Sequence, residues 1–563
     1  MNPESEIKLR RRSFLAWCSG VGFGSTLFPN LLWAQSKNGL KSITNEMIDS
    51  AARLAGLSFS QIDREEMVLG INANLASYKA LRKIRIDQNT PPPIYFNPAV
   101  PGQKFSKKRK PFIQSKRMSV SRPSNLEEIA FWPITDLSQL IESRQVSSEE
   151  LTQMYLKRIK QHDSKLNSVI TLTEKLAIKQ ARKMDREIKA GNYRSSLHGI
   201  PWGAKDVIAK SGYRTTWGAK AYRNQVIDYD ATLVSRLEEA GAVLIAKLST
   251  GEIARGDRWF DKQTRNPWKI NEGSGGSSAG PGSATAAGLV GFSIGSDTTG
   301  SILGPSRTCG ISGLRPTFGR ISRHGVMPVC WSLDKVGPMC RSVEDCAIVF
   351  QSIHGPDNQD LSLVDMPFNW NGNKNLKELR IGYIEEAFNE NTHPNDMETL
   401  ECLRGMGAEL QPIRLPKHAG MDALQMLLVD EAAAFDELIQ TGKVDLFLQD
   451  RVEPEDMLMR IARLMPAVEY LQIQRLRMLM MQGMERALRN IDVYIAPHEG
   501  NTNTTTTALT GHPGISVPNG FDKNGKPTGI LFVGKLYDEA NLMIAAKTYQ
   551  DANNFHLVYP GLD

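Results

Sequence analysis

The sequence predicts an α/β fold built in layers, and three observations carry that prediction. Residues 231–250, ATLVSRLEEAGAVLIAKLST, read as helix, glycine turn and apolar strand, the alternation of a sheet covered by helices. Two segments upstream, Thr135–Asp163 and Lys175–Gly191, repeat apolar residues at helical spacing. The chain is also long enough, since 563 residues at 41% hydrophobic and 23% charged bury a large core and make one big catalytic domain with an appendage.

Taken in chain order, the first element is Arg10-Arg11-Arg12-Ser13-Phe14-Leu15, followed by a mildly apolar stretch to Ala34. Residues 1–34 read as a twin-arginine-type signal peptide. Gly20, Gly22, Gly24 and Pro29 interrupt the apolar part, which is too weak for a stable membrane span. The expectation is export to a bacterial periplasm or secretion, with the twin-arginine translocation machinery as a partner in transit; an uncleaved basic tail is the plainer alternative. Residues 43–88 form a helical module of two or three helices, broken at Gly56–Ser60. Residues 89–128, with PPP, FNPAVPG and KFSKKRKPFIQSKR, read as an extended basic linker whose charges are solvated.

Helices then open the region 129–563, and Ser147 and Glu150 have capping-box spacing. The stretch 353–496, rich in Met and acidic residues, reads as a helical cover over a pocket, and Met478–Met484 as packing within it. The net charge of +7, from 68 basic and 61 acidic residues, comes largely from the N-terminal arginines and the linker, so no nucleic-acid partner is expected. Beyond Cys18 the five cysteines are odd in number with no C-x-x-C spacing, which indicates neither a zinc site nor a disulfide framework. No H-E-x-x-H, Walker lysine motif or dinucleotide loop occurs, so no metal and no cofactor is expected.

The chemistry concentrates in Gly273–Ser301, GSGGSSAGPGSATAAGLVGFSIGSDTTGS. Gly/Ser runs are most often linkers, but the helix-like ATAAGLV that follows argues against one here. A serine hydroxyl is a poor nucleophile until a base takes its proton, and a lysine serves as base only when burial lowers its pKa. Lys205 lies between GIPWGA and VIA, an apolar setting, although a lysine taken alone is usually a surface charge. With GIPWGAKDVI, the segment Gly304–Ala347 and the closing TALTGHPGISVPNGF and LFVGKLYDEA, the chain resembles the amidase signature family of serine amidohydrolases from about Ile129 to the C-terminus.

That resemblance implies a large mixed central sheet surrounded by helices. It also implies Ser301 as nucleophile, Ser277 as a bridging serine preceded by a cis peptide bond, and Lys205 as base. The backbone N–H groups of Thr298, Thr299, Gly300 and Ser301 would receive the oxyanion. The substrate would be a small-molecule amide, cleaved to carboxylate and ammonia or amine through acyl-Ser301, and a homodimer is compatible with the reading. Two departures bear on substrate choice: many members carry Gly-Gly-Ser-Ile-Arg where this chain has Thr299-Gly300-Ser301-Ile302-Leu303, and Ala279 and Pro281 replace the commoner Gly and Ser.

Rival readings remain open at this point. Gly276-Ser277-Ser278-Ala279-Gly280 satisfies G-x-S-x-G, but a nucleophile elbow needs a hydrophobic strand before it and Arg265–Gly275 is polar and turn-forming; Ser278 would be the next nucleophile candidate. His324, His498 and His512 sit in Gly/Pro-rich surroundings that fit turns as well as catalysis. An exported amidase is the main functional reading. The alternative is the A-type component of a glutamine-dependent tRNA amidotransferase, since the 43–88 module is similar to the C-type component of such complexes, although a plain helical cap is equally allowed. A catalytically silent binding protein on the same fold ranks third.

Overall fold

A computed structural model describes residues 43–81, 94–417, 429–447 and 455–562. The signal-peptide reading of residues 1–34 lies outside them. The chain divides into two compact units between residues 87 and 88. In the first, helices Asn45–Leu54 and Gln61–Leu81 flank the break read at Gly56–Ser60. Asn72 ties them together, accepting from the Ile43 N–H at 2.8 Å and donating to the Ile43 carbonyl at 3.2 Å.

The second unit is a mixed α/β domain around one large sheet. Its strands are β1 (Val169–Leu172), β2 (Pro201–Lys205), β3 (Val243–Leu248), two small hairpins made by β4 (Arg258–Trp259) with β5 (Lys262–Gln263) and β6 (Arg265–Asn266) with β7 (Lys269–Gly273), then β8 (Phe292–Asp297), β9 (Ser312–Arg315), β10 (Lys335–Cys340), β11 (Ile381–Ile384), β12 (Leu410–Ile413), β13 (Val493–Pro497), β14 (Gly514–Phe521) and β15 (Pro527–Gly534). Eleven strands form the central sheet in the order β1-β3-β2-β8-β10-β9-β14-β15-β13-β11-β12. Strands β3, β2 and β8 run parallel, as do β13, β11 and β12, and the other pairs are antiparallel.

The helices form where their signals lie. Ser147 and Glu150 complete a capping box on Ser148–Leu166, whose Leu151, Tyr155, Leu156 and Ile159 are buried. Helix Thr232–Glu239 leads through Gly241 into β3, as the alternation at 231–250 predicts. Met480, Met481 and Met484 are buried on helix Ala467–Ala487, in keeping with packing. The stretch 353–496 is less purely helical than its composition predicts, because β11, β12 and β13 add one edge of the central sheet. IGYI and LQPI are four-residue strands, too short to display a period.

The basic segment near the start of the second unit is extended, yet it is not a free spacer. The Ile113 N–H donates to the Trp370 carbonyl at 3.0 Å, and the Ile113 carbonyl accepts from the Gly372 N–H at 2.9 Å. Two residues on, the Ser115 N–H meets buried Glu344 at 2.7 Å and Arg117 pairs with the same carboxylate at 3.0 Å. Among the described residues no helix is long and apolar enough to cross a membrane.

Candidate active site

Topology brings three strand ends together. Strand β2 ends at Lys205, its parallel neighbour β8 ends at Asp297, and antiparallel β10 begins at Lys335, directly paired with Asp297. These ends lie at one end of the sheet, and the three charged residues there are all buried. Lys205 is fully buried, and Asp206 beside it is pinned by Lys247 at 2.8 Å and by the backbone and hydroxyl of Thr216 at 2.8 and 2.6 Å.

Lys205 Nζ donates to Ser277 Oγ at 2.8 Å and to Ser296 Oγ at 2.9 Å. Burial pushes its pKa down from 10.5 to about 7, against the attraction of Asp297 and Asp334. Near neutral pH a substantial fraction is therefore the free amine, the form that accepts a proton.

Ser277 follows a cis peptide bond, Gly276–Ser277. No side chain fits at Gly276, where a Cβ would stand 2.0 Å from the Gly256 carbonyl oxygen, and Gly275 has φ +74°. The Ser277 carbonyl accepts from the Gly251 N–H at 3.2 Å, and the Ser278 N–H donates to the Ser301 carbonyl at 3.2 Å, so the bridging loop and the Ser301 loop lie side by side. Ser278 Oγ donates to the Ser296 carbonyl at 3.0 Å and accepts from the Ser296 N–H at 3.2 Å, a structural engagement rather than a nucleophile's. The strand before this G-x-S-x-G run, β7, is mostly exposed and belongs to a small hairpin outside the central sheet, so the elbow lacks its strand.

The loop after β8 carries Thr298 to Ser301. Asp297 caps it, accepting from the Gly300 N–H at 2.7 Å and the Ile302 N–H at 2.8 Å. This corrects the oxyanion set: the Gly300 amide is engaged by a carboxylate and is not available in this conformation. The amides of Thr298, Thr299 and Ser301 donate to no protein acceptor among the described residues, and Thr299 is exposed. Thr298 Oγ1 donates to Asp334 at 2.7 Å.

The histidines stand elsewhere. His498 pairs with Ser516 at 2.9 Å, His512 with Thr510 at 2.8 Å, and His324 stacks on Tyr229 at 5.3 Å. Burial holds both His498 and His512 well below the usual imidazole range, with Arg307 and Arg315 respectively adding repulsion, so both are neutral. Leu303, where many family members carry arginine, is fully buried among Ile384, Tyr494, Leu531 and other apolar side chains. A cavity of about 60 Å³ borders Ser296 and Thr298 and is walled by Val326, Met327, Val329 and Trp331. Arg323 on its rim is occupied by Asp360 at 2.9 and 3.2 Å. Among the described residues no cluster of His, Cys, Asp or Glu is fit for a metal ion.

Sequence reasoning passed over Ser296, Asp297, Asp334 and Lys335. Asp297 carried a signal, an acid closing an apolar strand just before a glycine turn, where free amides need an acceptor. Lys335 carried none, since a lysine after Leu-Asp reads as a surface charge.

Comparison with known proteins gives three further findings. A family model described as Amidase matches residues 150–508. The A-type component of the glutamyl-tRNA(Gln) amidotransferase of Acinetobacter baumannii is 33% identical over 476 residues, covering 75% of this chain and 96% of that protein. The native peptide amidase of Stenotrophomonas maltophilia superposes with a TM-score of 0.71 at 30% identity, covering 78% of this chain and 100% of that one.

Proposed function

The chain belongs to the Amidase family, and from that premise we propose that it cleaves a carboxamide C–N bond through an acyl-Ser301 intermediate. The observation that carries the proposal is the buried Lys205 at 2.8 Å from Ser277, its pKa lowered to about 7. Ser301 Oγ attacks the amide carbonyl, its proton passes by way of the Ser277 hydroxyl to neutral Lys205, and the amides of Thr298, Thr299 and Ser301 stabilise the oxyanion. Lys205 returns the proton through Ser277 to the leaving nitrogen, and water then releases the acyl group. The apolar wall beside Thr298 and the neutralised Arg323 favour an uncharged group on that side of the carbonyl.

Two settings for this step compete. The near-complete match to the A-type component of an amidotransferase favours a protein that releases ammonia for a partner, working with tRNA and a C-type component. The match to a peptide amidase over that whole chain, with the arginine run and apolar stretch of residues 1–34, supports a free-standing exported hydrolase. The relatives lean towards the first. Intact mass after a fluorophosphonate, with Ser301→Ala and Lys205→Ala variants alongside, tests the shared chemistry: one adduct lost in both variants is expected, and an adduct persisting in Ser301→Ala overturns it. Affinity purification from the native host separates the settings, with tRNA and partner proteins on one side and a processed, periplasmic single chain on the other.

A further inference from the structure

Lys205 is one buried lysine at this site, and a second stands near it. Lys335 is 2% exposed, at the start of β10 opposite Asp297. Its Nζ donates to the Thr298 carbonyl at 3.3 Å and to the Ala508 carbonyl at 3.5 Å, the latter in the last turn of helix Asn503–Thr510. Carbonyls at a helix C-terminus favour a cation.

We propose that Lys335, as an ammonium, is a positioning residue for the oxyanion-receiving loop. The inference rests on Ser301 being the nucleophile. In a trans peptide the C=O and the following N–H point in opposite directions. Holding the Thr298 carbonyl on Lys335 therefore turns the Thr299 N–H away from Lys335, and Thr299 itself is an exposed residue. Asp334 fixes the Thr298 hydroxyl and Asp297 fixes the Gly300 amide, so the Thr298–Thr299 peptide is the remaining rotor, and Lys335 is what holds it.

The charges around Lys335 make this role sensitive to pH. Burial lowers its pKa to about 7, Arg315 and Arg477 push the same way, and Asp297 and Asp334 oppose them. Arg315 packs from β9 and Arg477 from helix Ala467–Ala487, while the carboxylates come from β8 and from the residue before Lys335 itself. Lys205 works as the free amine and Lys335 as the ammonium. Acylation of Ser301 then rises with pH as Lys205 loses its proton and falls again as Lys335 does.

The test is the second-order rate constant for fluorophosphonate labelling of Ser301, followed by intact mass from about pH 5 to about pH 10 in wild type, Lys335→Gln and Lys335→Met. Wild type is expected to give a bell. Lys335→Gln keeps a donor without a titrating charge, so it keeps the acidic limb and loses the alkaline one, with a rate at the optimum within about tenfold of wild type. Lys335→Met falls by a further factor of about ten or more at every pH. A wild-type profile with no alkaline limb, or an alkaline limb retained in Lys335→Gln, overturns the proposal, and the wild-type curve decides even where the variants do not fold. Failure of the underlying reading looks different: labelling that survives Ser301→Ala, or that shows no acidic limb.

Discussion

Lys205→Met exchanges a buried amine for an apolar side chain of similar length, and its effect on stability must depend on pH. In the folded chain the amine gains its proton only below about 7, whereas its ordinary value is 10.5. Between those values the unfolded state binds more protons, so wild type gains stability as pH rises through this window. Below about 7 both states are protonated and the full cost of the buried charge is present; above 10.5 neither is, and the cost is gone. The fall from 10.5 to about 7, at about 1.4 kcal/mol per pH unit, sets an upper bound of about 5 kcal/mol. Against this, the variant loses the bonds to Ser277 and Ser296 and leaves two hydroxyls short of a partner, a cost of about 1–3 kcal/mol each that does not change with pH. The decisive quantity is thus the change in the difference between the two proteins, measured as urea or thermal midpoints from about pH 6 to about pH 10. The variant should gain on wild type by a few kcal/mol at the acidic end relative to the alkaline end. A difference that stays constant across this range, or that moves the other way, refutes the account of Lys205 as a lysine whose amine is freed near neutrality by burial.

Four other outcomes follow from the same geometry. The wild-type kcat/KM for any accepted amide should drop about tenfold per pH unit below about 7, read from a pH–rate profile at constant ionic strength. Asp297→Ala removes the acceptor of two amides and leaves buried Arg315, 3.6 Å away, without its carboxylate; a loss of about 3–5 kcal/mol in chemical unfolding is expected, together with weaker labelling. Gly276→Ala puts a methyl 2.0 Å from the Gly256 carbonyl oxygen, so soluble yield and fluorophosphonate labelling should both collapse. Ser278→Ala should cost about 1–2 kcal/mol in stability while Ser301 is still labelled to one equivalent; abolished labelling in a folded variant would return the nucleophile to the G-x-S-x-G run.

How far the sequence discloses this site depends on how each residue signals. The helices at 148–166 and 232–239 and strand β3 announced themselves through capping residues, glycine turns and apolar runs, because those signals are local. The meeting of Lys205 and Ser277 could be read from motifs and not from any period, since the two come together across 72 residues of sequence. The engagement of the Gly300 amide by Asp297 was not legible, because a run of four amides reads as four donors until the carboxylate's direction is known. Strands β11 and β12 escaped for the opposite reason, being stretches of four residues whose strand character comes from parallel pairing with distant partners.

The arrangement also bears on why Leu303 can replace the arginine common at that position. Its side chain packs in an apolar layer shared with Tyr494, Leu531 and Val533, where an unpaired guanidinium would cost several kcal/mol. Arg307, one helical turn on, instead reaches the surface and pairs with Glu499. With that cation withdrawn and Arg323 bound to Asp360, the Thr298–Ser301 loop is left beside Lys205 and Lys335, both set to titrate near neutrality, and Arg315, which faces Asp297. An anionic acyl group would bias both lysines towards their protonated forms, which in the proposed mechanism withdraws the base, so a neutral substrate is the expectation that the proposal carries.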